Sequence, residues 1–246
     1  MEGSKNITPY KNSPLSKKEQ VTQMFDNISE NYDGLNRVIS FGIDKKWRRK
    51  VVKLVGDTRP ENVLDIATGT GDLALMLAQT TTAFEVVGLD LSPGMLEIGR
   101  KKIAATNVAH KIELVLGDSE NLPFSEKTFD AVTVAFGIRN FENLEQGLNE
   151  IMRVLRPGGI LVILETSNPV KTPYKQGYVF YNKYILPLIG KLFSKDNSAY
   201  GYLSKSASVF PFGEELNNIL TEIGFIEAEA MPQTFGVATI YSAFKN

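Results

Sequence analysis

Between residues 62 and 164, short apolar runs alternate with helical segments, and this restricts the fold more than any other feature of the chain. The runs at 62–67, 84–89, Ile112–Leu116, 129–136 and 160–164 are strand-sized and nearly continuous in apolar character. Strands buried on both faces read this way, as in a parallel sheet covered by helices on each side. The periodicity predicts helices over 73–78, from Pro93 onward and over 144–155. Ser92-Pro93 opens its helix with proline at the first helical position. The expected fold is α/β, a doubly wound, mostly parallel seven-stranded sheet. The runs at 225–230 and 236–244 are linked only by Met231-Pro232-Gln233. That link is too short for a parallel crossover, so the C-terminal pair is expected to be antiparallel.

Residues 1–15 read as a flexible polar tail, and 16–246 as a single domain. Ser16 and Glu19 have the spacing of a capping box. Val21, Met24, Phe25 and Ile28 follow at helical spacing, and a second helix is expected over 44–55, ended by Arg59-Pro60. The segment 171–212 is dense in tyrosine and phenylalanine and interrupts the alternation. It is expected to be a helical insertion over one sheet edge, a lid.

Composition then removes whole classes of chemistry. The 246 residues include no cysteine and one histidine. A disulfide framework or a cysteine metal site is excluded, and no metal site is expected. His110 reads as a solvated turn residue with no role, and Trp47 as core. Lys+Arg is 27 and Asp+Glu 28, a net charge of -1. That argues against broad capture of nucleic acid and against purely electrostatic membrane attachment. No apolar stretch approaches the ~20 residues that span a bilayer, and the N-terminus lacks a signal-peptide core. A cytoplasmic protein is expected.

The first strand-to-helix turn reads Asp65-Ile66-Ala67-Thr68-Gly69-Thr70-Gly71-Asp72. Gly69 and Gly71 let backbone approach a ligand at a helix N-terminus. Asp90 ends the second strand, where a carboxylate accepts hydrogen bonds from a ribose diol. Asp118-Ser119 follows the third strand. Packing turns and helix-end charges are the plainer readings of each, but polar residues converge at three successive strand ends. Asp65 would crowd a pyrophosphate yet can receive an ammonium group, and Ala74 stands where a dinucleotide fingerprint has its third glycine. Both points favour S-adenosylmethionine over a nicotinamide cofactor.

Asp65-x-x-x-Gly69-x-Gly71, Asp90 and Asp118-Ser119 together resemble the class I S-adenosylmethionine-dependent methyltransferases. Tyr32-Asp33-Gly34-Leu35-Asn36-Arg37-Val38-Ile39-Ser40 with Trp47, Phe136-Gly137-Ile138-Arg139-Asn140, and Arg153-Val154-Leu155-Arg156-Pro157-Gly158-Gly159 narrow this. They resemble signatures of the quinone-biosynthesis C-methyltransferases, from about Val21 to the C-terminus. The resemblance implies cofactor contacts from Thr70, Asp90 at the ribose and Asp118-Ser119 at the adenine. Leu35 stands where the signature usually has Met, Asp44 where it has His, and Ala135 where some members have Ser.

The implied reaction is methylation of a ring carbon of demethylmenaquinol, or alternatively of a polyprenyl benzoquinol. Activating that carbon requires stabilising a ring oxyanion. Arg139 is expected to do this, with water as proton carrier, while Asn140 orients the quinol oxygen and Tyr32 and Asp72 complete the network. The polyprenyl tail suggests a greasy channel in the aromatic insertion and peripheral membrane contact through 174–212, on the inner membrane face. A homodimer stays open. The rivals are an NAD-dependent oxidoreductase, a nucleic-acid methyltransferase and a non-catalytic cofactor-binding relative.

Overall fold

The computed structural model describes residues 7–10, 12–185 and 197–246. Three helices precede the sheet: α1 (Lys17–Ile28), α2 (Tyr32–Ile39) and α3 (Asp44–Asp57). The alternating region follows as β1 (Asn62–Ile66), α4 (Asp72–Thr80), β2 (Glu85–Asp90), α5 (Pro93–Ala104), β3 (Ile112–Leu116), β4 (Phe129–Ala135), α6 (Leu144–Val154) and β5 (Leu155–Thr166). The rest comprises α7 (Tyr174–Phe180), a π-helical turn Tyr181–Ile185, α8 (Asn197–Val209), α9 (Glu214–Ile223), β6 (Phe225–Gln233) and β7 (Ala238–Lys245).

The seven strands lie in the order β3-β2-β1-β4-β5-β7-β6. The first five are parallel; β7 runs antiparallel to both β5 and β6. Successive strand residues point to opposite faces, so each strand feeds two cores. Leu64, Ile66, Val132 and Val134 meet Leu148 and Ile151 of α6 and Leu216 and Leu220 of α9. Val63, Ala131 and Val162 meet Val51 and Val55 of α3 and Leu73 and Leu77 of α4. Burial of one such aliphatic side chain contributes roughly 1.5–3 kcal/mol.

Three local readings change. The run at 160–164 is the centre of a longer strand, and Arg156 to Gly159 run within it, with Gly158 at φ +75°. Met231, Pro232 and Gln233 are not the hairpin link but the end of β6; the chain reverses at Thr234–Gly236. Pro232 fits there because β6 is the edge strand and needs no N–H on its open side. Ile7, from the segment read as a tail, is buried beside Val21 and Met24 of α1, and the Tyr10 N–H donates to Gln20 Oε1 at 2.9 Å.

The N-terminal helix is fixed at both ends. Ser16 and Glu19 form the capping box. Asp26 accepts hydrogen bonds from Ser92 Oγ at 2.5 Å and the Gly94 N–H at 2.8 Å, a carboxylate at the N-terminus of α5. Lys17 Nζ donates to the Phe141 carbonyl at 2.8 Å. These bonds hold α1 across the carboxyl ends of the parallel strands. Within 171–212, α7 and α8 are described; Phe193 lies outside the described residues.

Candidate active site

Two cavities meet above the carboxyl ends of β1, β2 and β4, and the side chains of Tyr32 and Phe136 line both. The first is roofed by Lys18, Val21 and Phe25 of α1 and floored by Gly69, Asp90, Ser119, Ala135 and Asn140. Gly69 and Gly71 hold φ of +59° and +76°, which glycine adopts freely. This lets the Gly69 N–H turn back onto Asp90 Oδ2 at 2.8 Å. The Ser92 N–H donates to Asp90 Oδ1 at 2.9 Å. Burial pushes the Asp90 carboxyl up to about 6, opposed by these N–H donors and reinforced by the negative charge of Asp65.

The turn is tightly seated. Asp65 is buried, and it accepts from Thr68 Oγ1 at 2.6 Å and Thr133 Oγ1 at 2.7 Å. Burial raises its pKa, partly offset by those hydroxyls. Gly137 lies so close to β1 that a Cβ there would stand 2.3 Å from the Ala67 Cβ. Phe136 and Ala67, both facing the first cavity, hold positive φ without being glycine. Backbone strain of this kind gathers at functional sites.

The second cavity is apolar on most sides. Ile39, Trp47, Phe136, Tyr178, Tyr181, Leu203 and Val237 line it, with Arg139, Arg48 and Asp44 as its charged members. Arg139 is 8% exposed and its Nη1 lies 2.5 Å from Oε1 of Glu165, itself 1% exposed. Nη1 also donates to the Phe136 carbonyl at 2.8 Å. Burial is the largest influence on Arg139 and would lower its pKa, but the Glu165 carboxylate together with Tyr32 and Tyr202 raises it and holds the guanidinium charged. Arg139 Nε and Glu165 Oε2 are both buried without a hydrogen-bond partner. Buried polar atoms left unpaired are costly, so this pair retains bonding capacity at the cavity wall. Next to it, Tyr202 donates to Asn140 Oδ1 at 3.1 Å, and burial pushes the Tyr202 hydroxyl up to about 12.

The structure gathers some of the residues expected from the sequence and separates others. Gly69, Asp90, Ser119, Asn140 and Tyr32 share the first cavity; Arg139 and Tyr32 share the second. Adjacent in sequence, Arg139 and Asn140 therefore face different cavities. Asp65 lies behind the turn and is in the lining of neither cavity. Thr70 and Gly71 also sit outside the lining: the Thr70 hydroxyl donates to Asp33 Oδ1 at 2.6 Å and accepts from Lys102 Nζ at 2.9 Å. Asp72 pairs with the same lysine at 2.6 Å, away from Arg139. Asp118 stands at the outer rim, paired with Lys18 at 2.6 Å. Trp47, read as core, also lines the second cavity and donates from Nε1 to Thr234 Oγ1 at 2.9 Å. His110 is exposed in the turn Ala109–Lys111.

Glu165 and Tyr202 were not singled out by the sequence. Glu165 did carry a signal, an acid directly after the apolar run 160–164 at a strand's carboxyl end. Tyr202 carried none among its aromatic neighbours. No group of acidic, histidine or cysteine side chains that could hold a metal ion occurs among the described residues.

Comparison with known proteins adds an independent line. Residues 14–245 match the ubiE/COQ5 methyltransferase family. A Bacteroides fragilis protein named demethylmenaquinone methyltransferase is 46% identical over 97% of each chain. A Geobacter sulfurreducens ubiquinone/menaquinone biosynthesis C-methyltransferase is 45% identical, over 98% of this chain and 93% of its own. Among solved structures, an S-adenosylmethionine-dependent methyltransferase from Thermotoga maritima, a possible histamine N-methyltransferase, superposes with a TM-score of 0.64. It is 18% identical, over 91% of this chain and 99% of its own. That likeness shows a shared fold.

Proposed function

The chain belongs to the ubiE/COQ5 methyltransferase family, and from that premise we propose that it methylates a ring carbon of demethylmenaquinol, with S-adenosylmethionine in the first cavity and the quinol in the second. The observation that carries this reading is the shared wall of Tyr32 and Phe136, which puts a cavity bearing Asp90, Glu120 and Glu142 in direct contact with one bearing Arg139. A methyl donor and an acceptor ring must meet in line with water excluded.

The first cavity fits a cationic ligand without phosphate. Its lining contains Asp90, Glu120 and Glu142 and a single cation, Lys18, which is already paired with Asp118 and Glu120. A pyrophosphate would find carboxylates where it needs donors. Asp90 would take the ribose hydroxyls, Ser119 the adenine edge, and Val21, Phe25, Met95 and Phe141 the apolar flanks. Asp65 would act through Thr68 and the turn, not by direct contact. When bound, S-adenosylmethionine supplies an electrophilic methyl group.

On the acceptor side, Arg139 is a fixed cation in an apolar wall. A quinol ring oxygen beside it would lose its proton more readily and hold the resulting negative charge. Asn140, with its carbonyl engaged by Tyr202, offers its amide N–H groups to the neighbouring cavity. Tyr32, packed edge-on against Phe25 at 5.9 Å, closes the wall between the two. The apolar lining suits the polyprenyl tail, and the reading includes peripheral membrane contact through 174–212. No helix among the described residues is long and apolar enough to cross a membrane.

The test is methylation by the purified chain of demethylmenaquinol and of a demethylated benzoquinol, side by side. Turnover of the naphthoquinol is expected. Turnover of the benzoquinol alone would reassign the ring, and turnover of neither would end the reading.

A further inference from the structure

Exposed aromatic side chains gather around the mouth of the second cavity. Phe41 is 75% exposed, and its ring lies 6.3 Å from that of Tyr181, which lines the cavity. The Tyr181 hydroxyl donates to the Ile39 carbonyl at 2.8 Å, tying the turn after α7 to the segment that carries Phe41. On the same side Phe180 is 57% exposed, 5.1 Å from the ring of Tyr184. Tyr174 and Phe235 stack in the open at 3.9 Å. Single exposed apolar residues need no explanation, but a cluster around a cavity mouth does.

The flanking charge is one-sided. Within 34–53, Arg37, Lys45, Lys46, Arg49 and Lys50 are exposed, the only carboxylate, Asp44, is buried, and Lys53 is offset by Asp57 one turn on. Lys45, Lys46 and Arg49 form no ion pair among the described residues. Lys171 and Lys175 are exposed in 166–185, a stretch with no Asp or Glu. Lys50 donates to Gln233 at 2.5 Å, next to the turn that presents Phe235, so the basic helix and the aromatic cluster adjoin. The chain as a whole carries -1, so this face is basic because acids are concentrated elsewhere.

We propose that this face docks on a bilayer bearing anionic headgroups. Phe41, Phe180 and Tyr184 enter the interface, and Lys45, Lys46 and Lys175 meet the headgroups. Aromatic side chains beside unpaired cations are the composition that interfacial binding selects. The proposal rests on the second cavity taking a polyprenyl quinol. It also extends the contact beyond 174–212 to α3 and the turn before it. Net charge concealed this, because a bilayer senses the nearest face over about one Debye length, ~10 Å at moderate salt.

The test is flotation of the full chain with vesicles of phosphatidylcholine alone and of phosphatidylcholine mixed with phosphatidylglycerol. The chain is expected to float with the mixed vesicles at low salt, and less so as salt rises. K45E/K46E should weaken that partitioning at least about tenfold, since each cation near such a surface contributes about 1 kcal/mol. F41S/F180S should weaken it as well while leaving its salt dependence. Both variants should keep the parent's melting temperature and its rate on a quinol without a tail. Three results would overturn the proposal: no flotation, equal flotation with both vesicles, or K45E/K46E floating like the parent. Failure to turn over the tail-less quinol, with flotation intact, would instead sink the cavity reading beneath it.

Discussion

The two cavities touch, yet they are built in different ways. The floor of the first is made of strand-end turns: Gly69 after β1, Asp90 at the end of β2, and Ser119 after β3, each within a short contiguous segment. The second is made of side chains from α2, α3, the turn after β4, the end of β5, α7 and the turn after it, α8 and the residue before β7. Turns that must hold special backbone conformations restrict their own residues, so they leave motifs. The second cavity is only partly marked in this way: Tyr32, Asn36, Ile39, Trp47, Phe136 and Arg139 stand in motifs, while Thr166, Tyr178, Tyr181, Leu203 and Val237 stand in none. One region presents backbone and carboxylates, the other apolar shape and one buried ion pair.

If that division holds, substitutions should separate cleanly. We expect R139A to cut kcat about 10²–10³-fold, the usual loss when a donor to a developing oxyanion is removed, with cofactor affinity unchanged by calorimetry. R139K should not restore the rate, because an ammonium cannot replace the planar fork held by Glu165. A parallel loss of cofactor affinity would break the comparison. Next in size, D90A should weaken cofactor binding about 10–100-fold, since hydrogen bonds to a charged group contribute roughly 1.5–3 kcal/mol, with the quinol KM unaffected.

The third expectation is a pH dependence confined to one cavity. Asp90, held up to about 6, would accept from a ribose hydroxyl under the proposed reading only when ionised. Cofactor affinity should be level above about pH 7 and fall below 6, by up to about tenfold per pH unit. D90N should flatten it. Stability of the ligand-free chain runs the opposite way. A carboxyl whose folded pKa lies above its unfolded one contributes fully below the ordinary carboxylate range and loses that contribution as pH rises through about 6. Chemical denaturation across this window checks the sign. Smallest of all, K18A removes a partly exposed bridge from the roof of the first cavity. At no more than about 1 kcal/mol, it should weaken cofactor binding a few-fold and leave the quinol KM alone.

Much of this was written in the sequence, unevenly. The strand Ile112–Leu116 could be read to the residue because Lys111 and Gly117 bound its apolar run. The capping box at Ser16 and the proline start after Ser92 were likewise local signals. Pro232 misled because proline usually breaks strands, and only the sheet order reveals that its strand is an edge. Arg156 to Gly159 lay between the helix expected over 144–155 and the strand expected over 160–164, and their backbone runs within β5. Asp118 read as a cofactor contact because its sequence position is right. Its pairing with Lys18, a hundred residues earlier, has no sequence signature. The Arg139–Glu165 pair was half visible: the arginine stood in a motif, while its partner became a partner only when β5 was laid beside β4.

The wall of Tyr32 and Phe136 also has a thermodynamic consequence. Two ligands that share a movable boundary cannot have independent affinities unless that boundary is indifferent to both. If the first ligand favours one placement of these rings, the second is strengthened or weakened by some factor, and reciprocity requires the first to respond to the second by the same factor. Measuring each dissociation constant with and without the other ligand would put a number on the coupling, and would tell whether the order in which substrates arrive is imposed by energy or left to chance.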